Sequence, residues 1–130
     1  MAMTVYITDL AGFLPNASVG NDDIEQILGM VGGKPSRSRR VTLRNNGIQT
    51  RYYAIDPQTG RYTHNNAQMA AESVRRLLQR SGLSLEQLDC LACATSGPDQ
   101  IKPAHGQMVQ GALGGPPLEV STAAGVCTSG

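Results

Sequence analysis

Apolar and polar residues switch between two periodicities along this chain. Residues 4–15, "TVYITDLAGFLP", open with β-branched and aromatic side chains and stop at Pro15, which predicts a strand and then a turn. Residues 21–30, "NDDIEQILGM", set Ile24, Ile27 and Leu28 at i, i+3 and i+4, the spacing of one helix face. Asn21 is the expected N-cap, and Asp22 and Asp23 sit where the helix dipole favours negative charge. Gly29 or the Gly32–Gly33 pair ends this helix. Residues 32–47 mix breakers with Lys34, Arg37, Arg39, Arg40 and Arg44 and read as an exposed basic loop. Residues 48–56, "IQTRYYAID", predict a short strand, followed by the turn "DPQTGR".

The second half is more regular. In residues 65–82, Ala67, Ala70, Ala71, Val74, Leu77 and Leu78 share a face, while Arg75, Arg76 and Arg80 fall mostly off it. Gly82 is the C-cap such a helix needs. Ser84 and Gln87 fit a capping box for a short helical turn. "LDCLACATS" (88–96) is a continuous apolar run, which predicts a strand buried on both faces. Residues 103–115 begin with Pro, carry Met108, Val109, Ala112 and Leu113, and end in a glycine pair, which predicts a helix. Residues 116–125 predict a strand running into a tight turn. Strands alternating with helices give an α/β fold with at least partly parallel pairing.

Composition narrows the partners. The chain has 130 residues, 40% of them hydrophobic and 4% aromatic, which suits one nominal domain with a core. Its net charge of +1 gives no strong attraction to nucleic acid or membrane. No run approaches the roughly 18 apolar residues of a membrane span. The N-terminus lacks a basic region before its apolar run, so no signal peptide is expected. Three cysteines, an odd number, argue against a disulfide framework and for a reducing, cytoplasmic setting.

The candidate chemistry centres on "STAAGVCTSG", residues 121–130. Cys127 follows a strand-like segment and is flanked by small residues. A cysteine on a strand-to-helix turn projects from the backbone and meets free N–H groups, which favour the thiolate and can hold an oxyanion. The other reading is a buried cysteine acting as a small apolar side chain. Cys90 and Cys93 form a CxxC, but three residues apart on a strand they point to opposite faces. They read as packing residues, and no metal site is expected. His64, just before a helix, reads as a solvated turn residue. His105, at the start of a helix, is placed to line a cleft. Either histidine could serve Cys127 as a base. The arginines of residues 37–44 are a solvated surface or a docking surface for an acidic partner or phosphate.

Together these pieces resemble a known family. "YITDLAGFLPNASVGNDDIE" resembles the opening of the ketoacyl synthase III group of the thiolase superfamily. "GIQTRYYA" (47–54) is similar to that group's Gly-Ile-x-x-Arg segment. "NAQMAAESVRRLLQRSGLSLEQLDCLACATS" (66–96) is similar to its helix, link and strand end, and "KPAHGQMVQGALG" (102–114) to its following helix. Cys127 then falls where the family keeps its nucleophile. The match runs in order over nearly the whole chain.

The resemblance implies a thiolase-like α/β fold, with residues 1–130 its N-terminal part ending just after the nucleophile. It implies an acyltransferase of the β-ketoacyl synthase type, acting in fatty acid or polyketide-type biosynthesis. An acyl group passes to Cys127 from a thioester of coenzyme A or acyl carrier protein, and a decarboxylating malonyl thioester then condenses with it. The implied partners are those thioesters, the remainder of the synthase (as a second chain in one arrangement), and a second copy of the full enzyme in a homodimer. No cofactor is implied. Arg44, Arg51, Lys102 and His105 are the candidate substrate- or carrier-binding residues. The family's catalytic His and Asn come from later in the chain and are not moved onto His64 or His105. Val41 stands near a position where coenzyme A–using members often have Trp. Lys102 replaces an apolar pocket residue, and the stretch from Glu119 to Cys127 is a few residues longer than usual. These departures fit a more distant branch, such as those making aryl polyenes or dialkylresorcinols. The alternatives are a ketosynthase-like scaffold with Cys127 idle, and an unrelated α/β binding module.

Overall fold

A computed structural model describes residues 4–127, which form two compact units. One comprises residues 14–64. The other comprises residues from 65 onward together with those up to 13.

In the unit of residues 14–64, β1 (Ser18–Gly20) pairs antiparallel with β2 (Thr50–Tyr52). Between them lie α1 (Ile24–Leu28), a 3-10 turn at Val31–Gly33, and α2 (Arg39–Asn46). The α2 helix corrects the expectation of an exposed basic loop over residues 32–47. Arginine and leucine are good helix formers, and Gly47, at φ 68°, closes the helix in the left-handed conformation. Glu25 anchors the approach to α2. Its carboxylate accepts the Ser36 N–H at 2.8 Å and the Arg39 guanidinium at 2.8 Å. Asn21 is not the N-cap of α1, which starts from Asp23. Its side chain instead donates to the Ile48 carbonyl at 3.0 Å and accepts from Arg51 at 2.7 Å. The turn at 56–61 forms as expected. The Asp56 carboxylate accepts the Gln58 and Thr59 N–H groups at 2.7 and 3.1 Å, and Ile55 bridges to Tyr62 beyond it. Those backbone donors hold the Asp56 carboxyl below its ordinary range.

The other unit holds a β–α–β crossover. β3 (Cys90–Thr95) and β4 (Glu119–Ala124) run parallel, from Cys90 opposite Glu119 to Thr95 opposite Ala124. Parallel strands need a crossover, and α4 (His105–Leu113) supplies it. α3 (Asn66–Ser81) packs alongside α4. It starts at a reciprocal box in which the Asn65 side chain accepts the Gln68 N–H and the Gln68 side chain accepts the Asn65 N–H. The Asp99 carboxylate, 33 residues away, accepts the next two free donors, Asn66 N–H at 2.8 Å and Ala67 N–H at 2.9 Å. Gly82 ends α3 at φ 71°, and the Ser84–Gln87 box opens a 3-10 turn at Leu85–Gln87.

The buried core of the described residues is Ala67 and Ala71 from α3, Leu91 from β3 and Val109 from α4, ringed by Val74, Cys93, Met108 and Val120. Small residues on α3 let the helices approach closely. Gly106 does the same between α4 and β4. A methyl group there would meet Thr122 Oγ1 at 2.5 Å and Val120 Cγ1 at 2.6 Å. The Gly106 N–H donates to that same Thr122 hydroxyl at 3.0 Å.

Two expectations fail in this unit. Strand 88–96 is not buried on both faces. Leu91 and Cys93 turn inward, while Cys90, Ala92 and Ala94 are exposed, because no described layer covers their side of the sheet. Residues 4–15 form no strand. A strand needs a neighbour to share its backbone hydrogen bonds, and no described strand lies alongside. Val5, Tyr6 and Ile7 stand exposed. Arginines of α3 hold the end of this segment instead. Arg80 pairs with Asp9 at 3.1 Å, and Arg76 donates to the Gly12 carbonyl and lies 4.7 Å above the Phe13 ring. No helix among the described residues is long and apolar enough to cross a membrane.

Two substitutions test this architecture. Gly106→Ala gains helix propensity but forces α4 away from Thr122 and Val120. It is expected to lower the unfolding free energy by about 1–3 kcal/mol, read as a lower urea midpoint. Asp99→Ala leaves two α3 donors without partners and is expected to cost about 1–2 kcal/mol, with Asp99→Asn intermediate in the same titration.

Candidate functional site

Parallel strands in level register end together. The β3 and β4 ladder closes at Thr95 and Ala124, and one further bond, Gly125 N–H to the Thr95 carbonyl at 3.1 Å, carries the pairing past the strand ends. In open parallel sheets, ligands bind at this carboxyl end, where the loops and helix N-termini gather.

Three sequence candidates lie at this end. Cys127 follows β4 directly, in a turn with Val126. Its φ is +61°, and it is one of two described non-glycine residues with positive φ, the other being Asn16. A side chain with a Cβ resists that conformation, so the surrounding turn must hold it. The thiol is exposed. Lys102 lies in the loop between β3 and α4 and is exposed, with its carbonyl accepting from Gln100 at 2.8 Å. His105 opens α4. It does not line a cleft as expected, for it is only 3% exposed, and its Nδ1 is buried without a hydrogen-bond partner. The helix expected to open at Cys127 falls on residues 128–130, outside the described residues.

The support beneath this end comes from Asn66 and Asp99, which sequence reasoning did not single out. Asn66 Nδ2 donates to Thr95 Oγ1 at 2.8 Å and to the Gly97 carbonyl at 2.6 Å. Thr95 Oγ1 also accepts the Gly97 N–H at 3.2 Å. These bonds, with the Asp99 cap, tie the end of β3 and its following loop to the start of α3. Local sequence held only faint signals: an Asp just after a Gly-Pro step, and an Asn at the first position of a capped helix.

The CxxC cysteines point to opposite faces as expected, but only Cys93 packs. Cys90 is exposed on the open face, and Cys93 lies half-buried against the core, where desolvation raises its thiol pKa. Among the described residues no group of three His, Cys, Asp or Glu side chains converges as metal ligands would. His64 is half-buried, with Nδ1 3.0 Å from Thr63 Oγ1.

The remaining candidates belong to the unit of residues 14–64. Arg44 lines an open hollow of about 480 Å³ on α2, together with Arg37, Arg39 and Arg40. Arg51 is held by Asn21, whose side chain lines the same hollow.

No family model matches the chain. Curated relatives do. It is 31% identical over 109 residues to the β-ketoacyl-[acyl-carrier-protein] synthase III of Chlorobaculum tepidum, a match covering 84% of this chain and 30% of that protein. It is 32% identical over 108 residues to the synthase of the same name from Streptococcus thermophilus, covering 83% of this chain and 29% of that one. Among solved structures it matches a tetronic acid condensing enzyme with a TM-score of 0.71 and 26% identity, over 92% of this chain and 35% of that one. The chain spans about 30% of the length of the curated relatives it matches. It is homologous to the N-terminal portion of β-ketoacyl-[acyl-carrier-protein] synthase III enzymes and has, over that portion, the fold of the thiolase-like condensing enzymes.

Proposed function

We propose that this chain supplies the acyl-accepting nucleophile of a decarboxylative condensing enzyme, and that Cys127 is that nucleophile. The thiolate attacks the carbonyl of an acyl thioester. Its sulfur–carbon bond forms as the coenzyme A or carrier-protein thiolate leaves. A malonyl thioester then loses carbon dioxide, and the resulting carbanion attacks the acyl-cysteine. A carbon–carbon bond forms and the Cys127 thiolate is released, giving a 3-oxoacyl thioester. Cysteine suits both halves, being a good nucleophile when ionised and a good leaving group from a thioester. Backbone N–H groups of the turn at Cys127 are the natural oxyanion donors.

The observation that carries this reading is the conformation of Cys127. An exposed thiol sits at positive φ directly beyond the carboxyl end of a parallel strand. The names of the relatives, synthases of β-ketoacyl-[acyl-carrier-protein], and of the structural neighbour, a condensing enzyme, support the same chemistry. Neither the proton-transfer role nor the carbanion-stabilising role is given to His64 or His105. Arg44, Arg51 and Lys102 remain candidates for contacting the phosphopantetheine arm or its carrier.

The test is acyl trapping. The chain, alone and together with a polypeptide carrying the remainder of such a synthase, is incubated with an acyl thioester and mapped by mass spectrometry. An acyl adduct is expected on Cys127, lost in Cys127→Ser and retained in Cys90→Ser. No adduct on the assembled protein would leave the scaffold reading in its place. Alkylation gives a second check. At pH 8, iodoacetamide should modify Cys127 and Cys90 about threefold or more faster than Cys93. Burial shields Cys93, and its raised pKa leaves less thiolate at a given pH.

A further inference from the structure

An asparagine loses its amide when the backbone nitrogen of the next residue attacks its side-chain carbonyl carbon. A Cβ on that next residue crowds the approach, and glycine removes it. Only Asn46 precedes a glycine here; Asn16, Asn21, Asn45, Asn65 and Asn66 are followed by residues that carry a Cβ. Asn46 is the last residue of α2 and is exposed. Gly47 stands at φ 68°, and no atom lies within 4 Å of where its Cβ would be. Asn46 Oδ1 accepts the Ile48 N–H at 2.9 Å. That bond folds the side chain back over the Gly47 peptide and polarises its carbonyl toward attack. Among the described residues nothing accepts from Asn46 Nδ2, the group that must leave. Elsewhere the amide is held. Asn16 Nδ2 donates to the Tyr53 and Ile55 carbonyls, Asn21 Nδ2 to the Ile48 carbonyl, and Asn66 Nδ2 to Thr95 Oγ1 and the Gly97 carbonyl.

We propose that Asn46 is a site of spontaneous deamidation in the folded protein. The Gly47 nitrogen gives its proton to hydroxide and bonds to Asn46 Cγ. The Cγ–Nδ2 bond breaks, and the amide leaves as ammonia after taking a proton from water. Water then opens the cyclic imide at either carbonyl, which gives aspartate or isoaspartate at this position. Water is the only co-reactant. The isoaspartate form routes the backbone through the side-chain carbon and so adds a methylene between α2 and β2. It also sets a carboxylate at the C-terminus of α2, where the helix dipole disfavours negative charge. The Ile48 carbonyl is held by Asn21, and Asn21 in turn holds Arg51 of β2. A longer backbone at Asn46 therefore disturbs the entry to β2. The proposal stands apart from the acyl-transfer reading, since neither Cys127 nor the strand ends take part.

The experiment incubates the full chain in mildly alkaline buffer, folded and, in parallel, unfolded in urea. Tryptic peptides are then mapped by mass spectrometry over time. Cleavage after Arg44 and Arg51 isolates residues 45–51, and fragment ions separate Asn46 from Asn45 and Gln49. In the folded chain, conversion at Asn46 is expected to be about tenfold or more faster than at any other asparagine, since only there do the reacting atoms lie ready. Its rate should stay within about tenfold of the rate in urea, and should rise with pH as attack by a deprotonated amide requires. An isoaspartyl methyltransferase should label the converted peptide. Asn46→Gln must close a larger ring, and its peptide should stay unlabelled. Conversion in urea with more than about tenfold protection in the folded chain overturns the proposal, because the end of α2 then guards the amide. Conversion spread evenly over the asparagines of the folded chain overturns it as well. So does label on residues 45–51 that persists in Asn46→Gln, which would place the reaction at Asn45.

Discussion

The parallel pairing of β3 with β4 governs everything at the candidate site. Two strands running the same way cannot be joined by a hairpin, so the chain must leave one strand end, cross the sheet and return. That requirement produces α4, and it fixes which features meet. The N-terminus of α4, the loop after β3 and the turn after β4 share one end of the sheet because each adjoins that end covalently. The close seat of α4 on β4 depends on Gly106, which leaves no room for even a methyl group beside Val120 and Thr122. A wider gap would carry the helix N-terminus away from the strand ends.

The sequence made the regular parts of this unit legible because their signals are local. Gly82, and Ser84 with Gln87, are capping devices readable within four residues, and both occur in the structure. The β3–α4–β4 order follows equally from short-range pattern. What failed depended on neighbours at a distance. "TVYITDL" has the composition of a strand, yet β propensity describes fitness for a half-buried pleated surface, and no described strand offers one. "CLACAT" reads as doubly buried because alanine and cysteine tolerate burial, yet the same residues tolerate exposure. The basic segment misled differently. Its arginines signal charge, yet arginine is also a good helix former, and Glu25, the partner that fixes Arg39, lies 14 residues upstream. Asp99 went unnoticed because its role as a cap spans 33 residues.

The open face of the β3–β4 sheet has a physical consequence. Ala92, Ala94, Ser121 and Ala123 are exposed on it, all short side chains. Short side chains let another backbone approach closely, as Ala67 and Ala71 do on the covered side. Four buried residues make a small core, and stability rises with the fraction of surface removed from water. Alanine occurs both in the buried core, at Ala67 and Ala71, and on the open face, at Ala92, Ala94 and Ala123, so for these residues a covering layer rather than residue type separates buried from open. That explains why apolar pattern alone could not tell a covered face from an open one.

Two positions in this unit break local rules, and both lie at the strand ends. Cys127 takes a backbone conformation that glycine or asparagine would adopt with less strain. His105 keeps a ring nitrogen buried without a partner, where an apolar residue of similar size would avoid the desolvation cost. Elsewhere in the unit the local choices agree with the fold: caps end helices, alanines face the core, and a glycine sits where space vanishes. Sequences tend to be consistent across levels except where chemistry sets the residue. On the acyl-transfer reading the exception at Cys127 has a reason, since a thiol is readily acylated there and is a good leaving group from the thioester it forms. The left-handed turn is the geometry that presents it to solvent. His105 has no such account within that mechanism; its Nδ1 is buried, and the described residues offer it no partner.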